Sequence, residues 1–341
     1  MSLKSLLVSI PFLWRGATAL PAGPGSWTHG NSTIISSASD DFRAEAAYNL
    51  IDTYDASNWA NKFNFEDIAD PTHGFVDYTT LQQAQQFGLF KTQNGQVYMG
   101  VDSTSQLDPN GAGRKSVRVQ SKTAYNHGLV IADFAHVPGS ACGSWPAFWM
   151  VGPNWPNQGE IDIYEGVHLS SSNQVTLHTS LGCNPGIGPG GETGRRLAGD
   201  CGAGGGFNGC GIQADNPATF GTPFNANGGG VYAMLWTSAG IKVWSFAARN
   251  VPVNIKSGSP DPSSWGTPIA NYGNGGCDFD AKFRDLNIVF DITFCGDWAG
   301  GVWGSTTCAQ VNPSCAAYVA GQPQNFSDTY WLVNSVKVYS A

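Results

Sequence analysis

Short segments in which apolar and polar residues alternate recur along this chain, and Gly, Pro, Asn or Asp separates most of them. Alternation with a period of two places successive side chains on opposite faces of a strand. Ten such segments predict strands, at residues 96–101, 116–121, 128–134, 145–151, 160–165, 174–179, 231–237, 241–246, 286–294 and 329–339. Residues 78–87 give the one weak helical pattern. Many short strands with turn residues between them are typical of a β-sandwich or jelly roll.

The chain is expected to form one large all-β domain, because its 341 residues contain no internal repeat and no linker rich in Ser, Thr or Pro. Its 44 Gly, 12 Trp, 18 Phe and 11 Tyr describe a turn-rich sheet protein with aromatic surfaces. The net charge of −8 argues against a nucleic-acid partner, since such binding needs Lys and Arg to neutralise phosphates. A neutral ligand is favoured instead.

The N-terminus has the pattern of a secretory signal peptide. Lys4 precedes a short apolar run, and Ala17 and Ala19 form an AxA-like cleavage signal. We therefore predict a signal peptide at residues 1–19, a loosely ordered lead-in at residues 20–46, and a secreted, extracellular protein. The apolar run is too short to span a bilayer, and the last strand is followed by no hydrophobic tail, so no membrane partner is expected.

Eight cysteines, an even number, suit an exported protein and predict up to four disulfides. They are Cys142, Cys183, Cys201, Cys210, Cys277, Cys295, Cys308 and Cys315. The sequence does not choose among the roughly 105 pairings. Cys201 with Cys210, and Cys308 with Cys315, are close enough in sequence to close single loops. Sequons at Asn31 and Asn325 predict sites for N-glycans.

The densest group of charges is the segment GEIDIYEG at residues 159–166, in a chain of which only 12% is charged. On a regular strand Glu160 and Asp162 share a face and Glu165 lies on the other. One β-bulge at Tyr164 would return Glu165 to the face of the other acids, and bulges are frequent beside active sites. The two glutamate Cα atoms would then lie roughly 13 Å apart, at about 3.3 Å per step. Side chains that lean together could approach the about 5–5.5 Å separation of a retaining glycoside hydrolase.

Two other interpretations of this segment are open. It could be an exposed edge strand whose charges prevent aggregation. The acids could also bind a metal ion together with His168. Their spacing does not match the ligand patterns of calcium loops or zinc helices, so we expect neither a metal nor another cofactor.

The segment and its surroundings resemble glycoside hydrolase family 16, in particular its secreted fungal laminarinase-like endo-β-1,3(4)-glucanases. GEIDIYEG is similar to the bulged family signature ExDxxE, whereas transglycosylases and lichenases of the family more often carry ExDxE. Other segments resemble the family in the same order: DPTHGFVDY from Asp70, WPAFWM from Trp145, VTLHTS from Val175, FCGDWAG from Phe294 and YWLVNSVKVY from Tyr330. The resemblance implies a jelly roll of two antiparallel sheets with a concave cleft, formed by residues 47–341. It also implies that Glu160 is the nucleophile, Asp162 assists it, and Glu165 is the acid/base.

Neutral sugars present apolar ring faces, so a glucan cleft needs aromatic side chains more than charges. Trp145 and Trp149 share a strand face, and Trp298 lies in a segment where family members often carry a cleft aromatic. Trp236 is a further candidate for substrate binding. The alternative for each single tryptophan is a place in the hydrophobic core.

Two polar residues complete the predicted substrate-binding set. Alternation along VTLHTS places His178 on one face with Thr176 and Ser180, where it could join the carboxylates. It could equally satisfy a backbone carbonyl. Arg118 could bind a sugar hydroxyl or pair with an acid.

These observations predict a secreted retaining endo-β-glucanase that hydrolyses β-1,3 or mixed β-1,3/1,4-glucans as a monomer. A cell-wall glucan transglycosylase is the first alternative, since it differs only in the acceptor of the glycosyl group. A non-catalytic glucan-binding protein is the second. It is disfavoured because such a protein would gain nothing from two carboxylates at catalytic spacing.

Overall fold

Two large antiparallel sheets form most of the protein in this computed structural model, which describes residues 48–273 and 275–340. The predicted signal peptide, the lead-in and the Asn31 sequon lie outside the described residues. No helix among the described residues is long and apolar enough to cross a lipid bilayer.

The described residues contain nineteen strands and six short α-helices. The strands are β1 Leu50–Tyr54, β2 Phe63–Phe65, β3 Val76–Tyr78, β4 Phe90–Gln93, β5 Gln96–Gly100, β6 Arg114–Ser116, β7 Arg118–Tyr125, β8 Gly128–His136, β9 Ser144–Val151, β10 Glu160–Glu165, β11 Gln174–His178, β12 Gly186–Ile187, β13 Arg195–Arg196, β14 Cys210–Gln213, β15 Gly230–Thr237, β16 Gly240–Ala247, β17 Ala270–Gly273, β18 Leu286–Phe294 and β19 Tyr330–Tyr339. The helices are α1 Trp59–Lys62, α2 Leu81–Gln86, α3 Gly221–Ala226, α4 Val253–Lys256, α5 Phe279–Lys282 and α6 Cys315–Gly321. Short 3₁₀ turns lie at Ala203–Gly206, Ala248–Asn250, Pro262–Ser264, Trp303–Ser305, Thr307–Gln310 and Pro323–Phe326, and a π-helical turn at Gly296–Gly300.

The first sheet has nine strands in the order β12-β17-β16-β15-β8-β19-β5-β4, with β1 also paired to β19. The second sheet has eight strands in the order β13-β14-β11-β10-β9-β18-β7-β2. Strands β3 and β6 form a small parallel pair. Strand β10, which carries the acidic segment, therefore lies inside the eight-stranded sheet between β9 and β11 and is not an edge strand.

The main hydrophobic core lies between the two sheets. Phe134 of β8 contacts Phe148 of β9 and Phe290 of β18 across the interface, with ring centroids 5.8 Å and 6.2 Å apart. Ile161 and Ile163 of β10 join the same core and are fully buried. Because side chains alternate along a strand, the polar residues of β10 and its neighbours project from the other face of the eight-stranded sheet.

All ten predicted strands are confirmed, and the two-sheet sandwich is the expected fold class. The segment 116–121 divides at Val117 into β6 and β7, and the helix predicted at 78–87 is α2. The strands that the sequence did not predict, such as β12 and β13, are mostly too short to show alternation.

The eight cysteines form four disulfides, Cys142–Cys308, Cys183–Cys277, Cys201–Cys210 and Cys295–Cys315. The loop expected between Cys201 and Cys210 is confirmed. The pairing of Cys308 with Cys315 is wrong, because Cys308 bonds to the turn before β9 and Cys315 to the residue after β18. Closeness in sequence did not predict the pairing there, because two other chain segments lie closer in space.

Candidate active site

A β-bulge in β10 brings three carboxylates to the outer face of the eight-stranded sheet. Asp162 pairs with Trp149 and Tyr164 with Phe148, so Ile163 is the residue without a partner on β9. The bulge was expected at Tyr164 and lies one residue earlier. Ile163 and Tyr164 are both fully buried in the core, and Glu165 follows on the face of Glu160 and Asp162.

The amide of Asn173, immediately before β11, satisfies the backbone groups that the bulge leaves without strand partners. Its Oδ1 accepts from the Glu165 N–H at 2.8 Å, and its Nδ2 donates to the Ile163 carbonyl at 2.9 Å. The Asn173 backbone N–H donates to Thr219 Oγ1 at 2.9 Å, and the residue is fully buried. Asn173 thus fixes the backbone that positions Glu165. Nothing in the serine-rich segment before it predicts this role.

Glu165 is buried, and only 8% of its surface is exposed. The indole Nε1 of Trp145 donates to its Oε1 at 2.8 Å. Burial raises the pKa of Glu165 well above its ordinary value, and the charge of Asp162 adds to this effect, while the hydrogen bond from Trp145 opposes it. This environment favours the protonated carboxyl, as a general acid requires.

His178 lies opposite Glu160 on β11 and so joins the carboxylates, and it also satisfies a backbone carbonyl, so both of its expected roles are present. Its Nε2 is 3.2 Å from Asp162 Oδ2 and 3.8 Å from Glu160 Oε1, and its Nδ1 donates to the Gly206 carbonyl. Burial acts to lower the pKa of His178, but the close contact with the Asp162 carboxylate and the charge of Glu160 outweigh it and raise the pKa to about 10. The imidazole is therefore a cation at neutral pH, with both ring nitrogens directed at oxygen atoms.

Burial also raises the pKa of Glu160, to about 8, and repulsion by Asp162 contributes to the shift. His178 and Arg118 act in the opposite direction because their positive charges favour the carboxylate. The Trp155 indole, in the loop before β10, also lowers this pKa. Sequence reasoning missed Trp155, although the segment NWPNQGE places it only five residues before the nucleophile candidate.

Glu160, Asp162 and His178 also form the group in the described residues that could hold a metal ion, since their ligand atoms lie within 4.8 Å of one another. The rival metal site with His168 is not assembled. His168 Nδ1 accepts from the Gly143 N–H and its Nε2 donates to the Ala299 carbonyl, both at 2.9 Å. His168 instead connects the turn before β9 to the turn that carries Trp298.

Three of the four predicted tryptophans lie around these carboxylates. The rings of Trp145 and Trp298 meet edge to face, with centroids 5.7 Å apart. Trp149 lies opposite Asp162, and the Arg118 guanidinium is 5.0 Å from its ring centroid. Trp298 is held in the π-helical turn that directly follows Cys295, whose disulfide ties that turn to α6.

Trp236 requires a correction, because it lies in the core between the sheets with 1% of its surface exposed. Its ring contacts His127 and Phe283, and no sugar can stack on it there. Trp236 belongs to β15 of the nine-stranded sheet. The alternation along β15 shows that Trp236 has a preferred face, but it does not show whether that face meets the core or the cleft.

Arg118 pairs with acids, which was one of its two expected roles. Its Nε donates to Glu66 Oε2 and its Nη1 to Asp291 Oδ2, both at 2.9 Å. Asp291 lies opposite Ala147 on β9, which in turn lies opposite Glu165 on β10. Burial raises the pKa of Asp291 to about 7, although Arg118 opposes the shift. Arg118 therefore supports the Trp149 ring while its guanidinium is neutralised by two carboxylates.

The loop closed by Cys201–Cys210 forms a wall beside His178. Its Gly206 supplies the carbonyl that His178 contacts, and φ there is +100°. A Cβ at Gly206 would lie 2.8 Å from Pro156 Cβ and 3.0 Å from the Thr179 carbonyl oxygen. Only glycine fits this close approach.

Comparison with known proteins gives one consistent result. The family profile described as XgeA-like, catalytic GH16 domain matches residues 63–339. A probable endo-1,3(4)-β-glucanase of Aspergillus fumigatus is 46% identical over 314 residues, which are 90% of this chain and 48% of that protein. The endo-1,3(4)-β-glucanase xgeA of Emericella nidulans is 44% identical over 302 residues, 87% of this chain and 48% of that protein. The chain thus spans about half the length of these curated relatives.

Two solved structures share the fold over the same region. An elongating GH family 16 β-1,3-glucosyltransferase superposes with a TM-score of 0.82 and 44% identity, covering 86% of this chain and all (100%) of that one. Laminarinase 16A from Phanerochaete chrysosporium superposes with a TM-score of 0.78 and 39% identity, at the same coverage of 86% and 100%. That structure holds 6-O-glucosyl-laminaritriose in donor and acceptor sites.

Proposed function

Because the chain belongs to glycoside hydrolase family 16, we propose that it is a retaining endo-β-glucanase that hydrolyses β-1,3 or mixed β-1,3/1,4-glucans. The observation that carries the proposal is the bulged strand β10, which places Glu160 and Glu165 on one face in two different environments. Glu165 receives one indole hydrogen bond in a buried site. Glu160 lies beside a cationic imidazole.

These environments suit a double displacement. Glu160 attacks the anomeric carbon while Glu165 donates its proton to the leaving glycosidic oxygen, which forms a glycosyl-enzyme intermediate. Glu165, now ionised, then removes a proton from water, and the water attacks the same carbon to restore Glu160. His178 and Asp162 act on Glu160: the positive charge of His178 favours the ionised nucleophile, and Asp162 helps to hold His178 in place.

The tryptophans support a sugar substrate rather than another electrophile. Trp145, Trp149 and Trp298 surround the carboxylates, and their flat apolar faces can cover the C–H faces of glucosyl rings. The relatives named endo-1,3(4)-β-glucanases favour β-1,3 and mixed linkages. The signal-peptide pattern and the four disulfides support a secreted enzyme. Action as a monomer stays a prediction.

A glucan transglycosylase is the second candidate, because the glucosyltransferase structure is 44% identical to this chain. In that case a sugar hydroxyl replaces water in the second step. Products longer than the substrate would identify it.

The test is a product profile on laminarin, lichenan and a β-1,4-glucan, with NMR of the first anomer released. We expect cleavage of the first two with a β product. The Glu160→Gln variant should bind glucan but lose turnover by far more than tenfold. Asp108→Asn, which neutralises an exposed carboxylate elsewhere, should remain active. Inertness of the parent protein on all three glucans would contradict the proposal.

A further inference from the structure

Three side chains of the candidate active site hold their ligand atoms at separations that suit a transition-metal ion. His178 Nε2 lies 3.2 Å from Asp162 Oδ2 and 3.8 Å from Glu160 Oε1, and the three ligand atoms all lie within 4.8 Å of one another. Around a tetrahedral zinc ion, whose bonds to nitrogen and oxygen are about 2.0–2.2 Å long, neighbouring ligand atoms are roughly 3.4 Å apart. The two measured separations lie on either side of this value, so small side-chain rotations are enough to complete a site with three protein ligands.

Asp162 Oδ2 is a buried oxygen atom with free lone pairs. The Asp162 side chain is only 3% exposed, and its Oδ2 faces His178 Nε2. Within the part of the chain that the structure describes, this atom accepts no hydrogen bond of ordinary geometry. A buried polar atom without such a partner costs free energy, because its lost hydration is not replaced. A bound cation would satisfy the oxygen, since carboxylate oxygens are among the usual ligands of zinc.

His178 has the orientation of a metal-ligating histidine. Its Nδ1 donates to the Gly206 carbonyl, and metal-ligating imidazoles almost always donate their second N–H to a carbonyl, a carboxylate or water. Gly206 is itself held in the loop closed by a disulfide, so close to Pro156 that a Cβ there would not fit. The Nε2 atom therefore stays directed at the two carboxylates.

The ligand atoms, one imidazole nitrogen and two carboxylate oxygens, select the class of ion. They suit a divalent transition-metal ion such as Zn²⁺. Ca²⁺ takes about 6–8 oxygen ligands and Mg²⁺ needs near-ideal octahedral geometry, so this group suits neither. Coordination uses the Nε2 lone pair, so His178 releases its Nε2 proton to solvent when the ion binds. Competition with the proton keeps binding reversible, which suits an inhibitor better than a resident cofactor.

We propose that Glu160, Asp162 and His178 reversibly bind one divalent transition-metal ion, for which Zn²⁺ is the probe, and that the bound ion inhibits the enzyme. The ion occupies the Glu160 carboxylate, which then cannot attack an anomeric carbon. Zinc and glucan therefore exclude each other. The inhibition rests on the proposed function, whereas the binding of the ion does not.

Calorimetry of ZnCl₂ with the EDTA-treated and dialysed protein tests the site without substrate. We expect one zinc ion per chain, and at least about tenfold weaker affinity in Asp162→Asn and in His178→Gln, because even outer-shell partners of metal sites are worth about 10–100-fold in affinity. His127→Gln removes a histidine that pairs with a single carboxylate, that of Asp280, and should bind zinc as the parent does. An excess of CaCl₂ should not displace the zinc. Equal affinity in the parent and all three variants would overturn the proposal.

Competition keeps the proposal testable even if a ligand variant does not fold. Glu165→Gln retains the three ligands but lacks the general acid, so it can bind a β-1,3-glucan hexasaccharide without turnover. Saturation with this hexasaccharide should weaken zinc binding to Glu165→Gln by at least about tenfold. Unchanged zinc affinity in the glucan-bound protein would place the ion elsewhere and overturn the proposal.

Kinetics of the parent protein separate this inference from the proposed function. ZnCl₂ should raise KM for laminarin and leave kcat unchanged, and EDTA should reverse the effect. A lower kcat at unchanged KM, or full activity at zinc concentrations that saturate the calorimetric site, would refute the inhibition while the glucanase function stands. Zinc binding through Asp162 and His178 in a protein that is inert on all glucans would support the metal site and refute the proposed function alone.

Discussion

The indole Nε1 of Trp145 donates a hydrogen bond of 2.8 Å to Glu165 Oε1, and this bond lowers the pKa of the carboxyl against the effect of burial. Trp145→Phe removes the donor and keeps an aromatic ring. We expect the pKa of Glu165 to rise, so that the alkaline limb of kcat/KM against pH moves to higher pH, with about a tenfold loss of kcat. Trp149→Phe should leave this limb in place. If the alkaline limb does not move in Trp145→Phe, Glu165 is not the general acid.

Glu165→Ala should spare the first step on aryl β-glycosides, because an aryl leaving group departs without protonation. The second step should then be slow, since no general base activates water. Added azide should restore turnover and give a β-glycosyl azide, as retention requires. Product analysis by NMR distinguishes the outcomes. An α-azide, or rescue of Glu160→Ala with a β product, would mean that the two roles are reversed or that the enzyme inverts.

His178→Gln tests the cation beside the nucleophile. Because His178 lowers the pKa of Glu160, its removal should raise that pKa and move the acid limb of kcat/KM to higher pH. We expect kcat at neutral pH to fall about tenfold or more. His127→Gln is the matched control, since His127 contacts Asp280 and lies in the loop between β7 and β8. An acid limb at unchanged or lower pH in His178→Gln would contradict the role of His178 as the cation that lowers the pKa of Glu160.

Asn173→Ala should loosen the bulge, because the Glu165 N–H and the Ile163 carbonyl both lose a partner in a buried site. Each unsatisfied group costs about 1–3 kcal/mol of stability. Urea unfolding should show this loss, and kcat should fall about tenfold in the fraction that stays folded. Asn173→Asp keeps the acceptor for Glu165 and should be less impaired. Ser172→Ala, at a half-buried neighbour whose hydroxyl bonds the Asn216 carbonyl, should match the parent in both measurements. Full activity in Asn173→Ala would show that the bulge keeps its geometry without the side-chain hydrogen bonds of Asn173.

The sequence predicted the acidic face of β10 because a two-residue period is local information. It could not place the bulge, since Ile163 and Tyr164 are both apolar and both enter the core. Hydrophobicity cannot decide which of two adjacent buried residues lacks a strand partner. Alternation placed His178 on the polar face of β11 for the same local reason, and the pairing of β11 with β10 brings it beside the acids.

The residues that sequence reasoning missed lie in loops. Asn173 and Trp155 reach the site from the loops on either side of β10, and residues in loops have no local period. The prediction that Trp236 binds substrate was wrong for a different reason. Its strand alternates as that of Trp149 does, but the pattern does not say which sheet faces the substrate and which face meets the core.

Strand β19 pairs with β8, β5 and β1, so it joins the centre of the nine-stranded sheet to strands from the start of the described domain. During synthesis the β4–β5 hairpin and β1 must wait for residues 330–339 before they can attach to β8. At about 5–20 residues per second, the ribosome leaves these strands without their neighbour for tens of seconds. The nascent chain therefore has unpaired strand edges until β19 arrives, and such edges can pair with other chains.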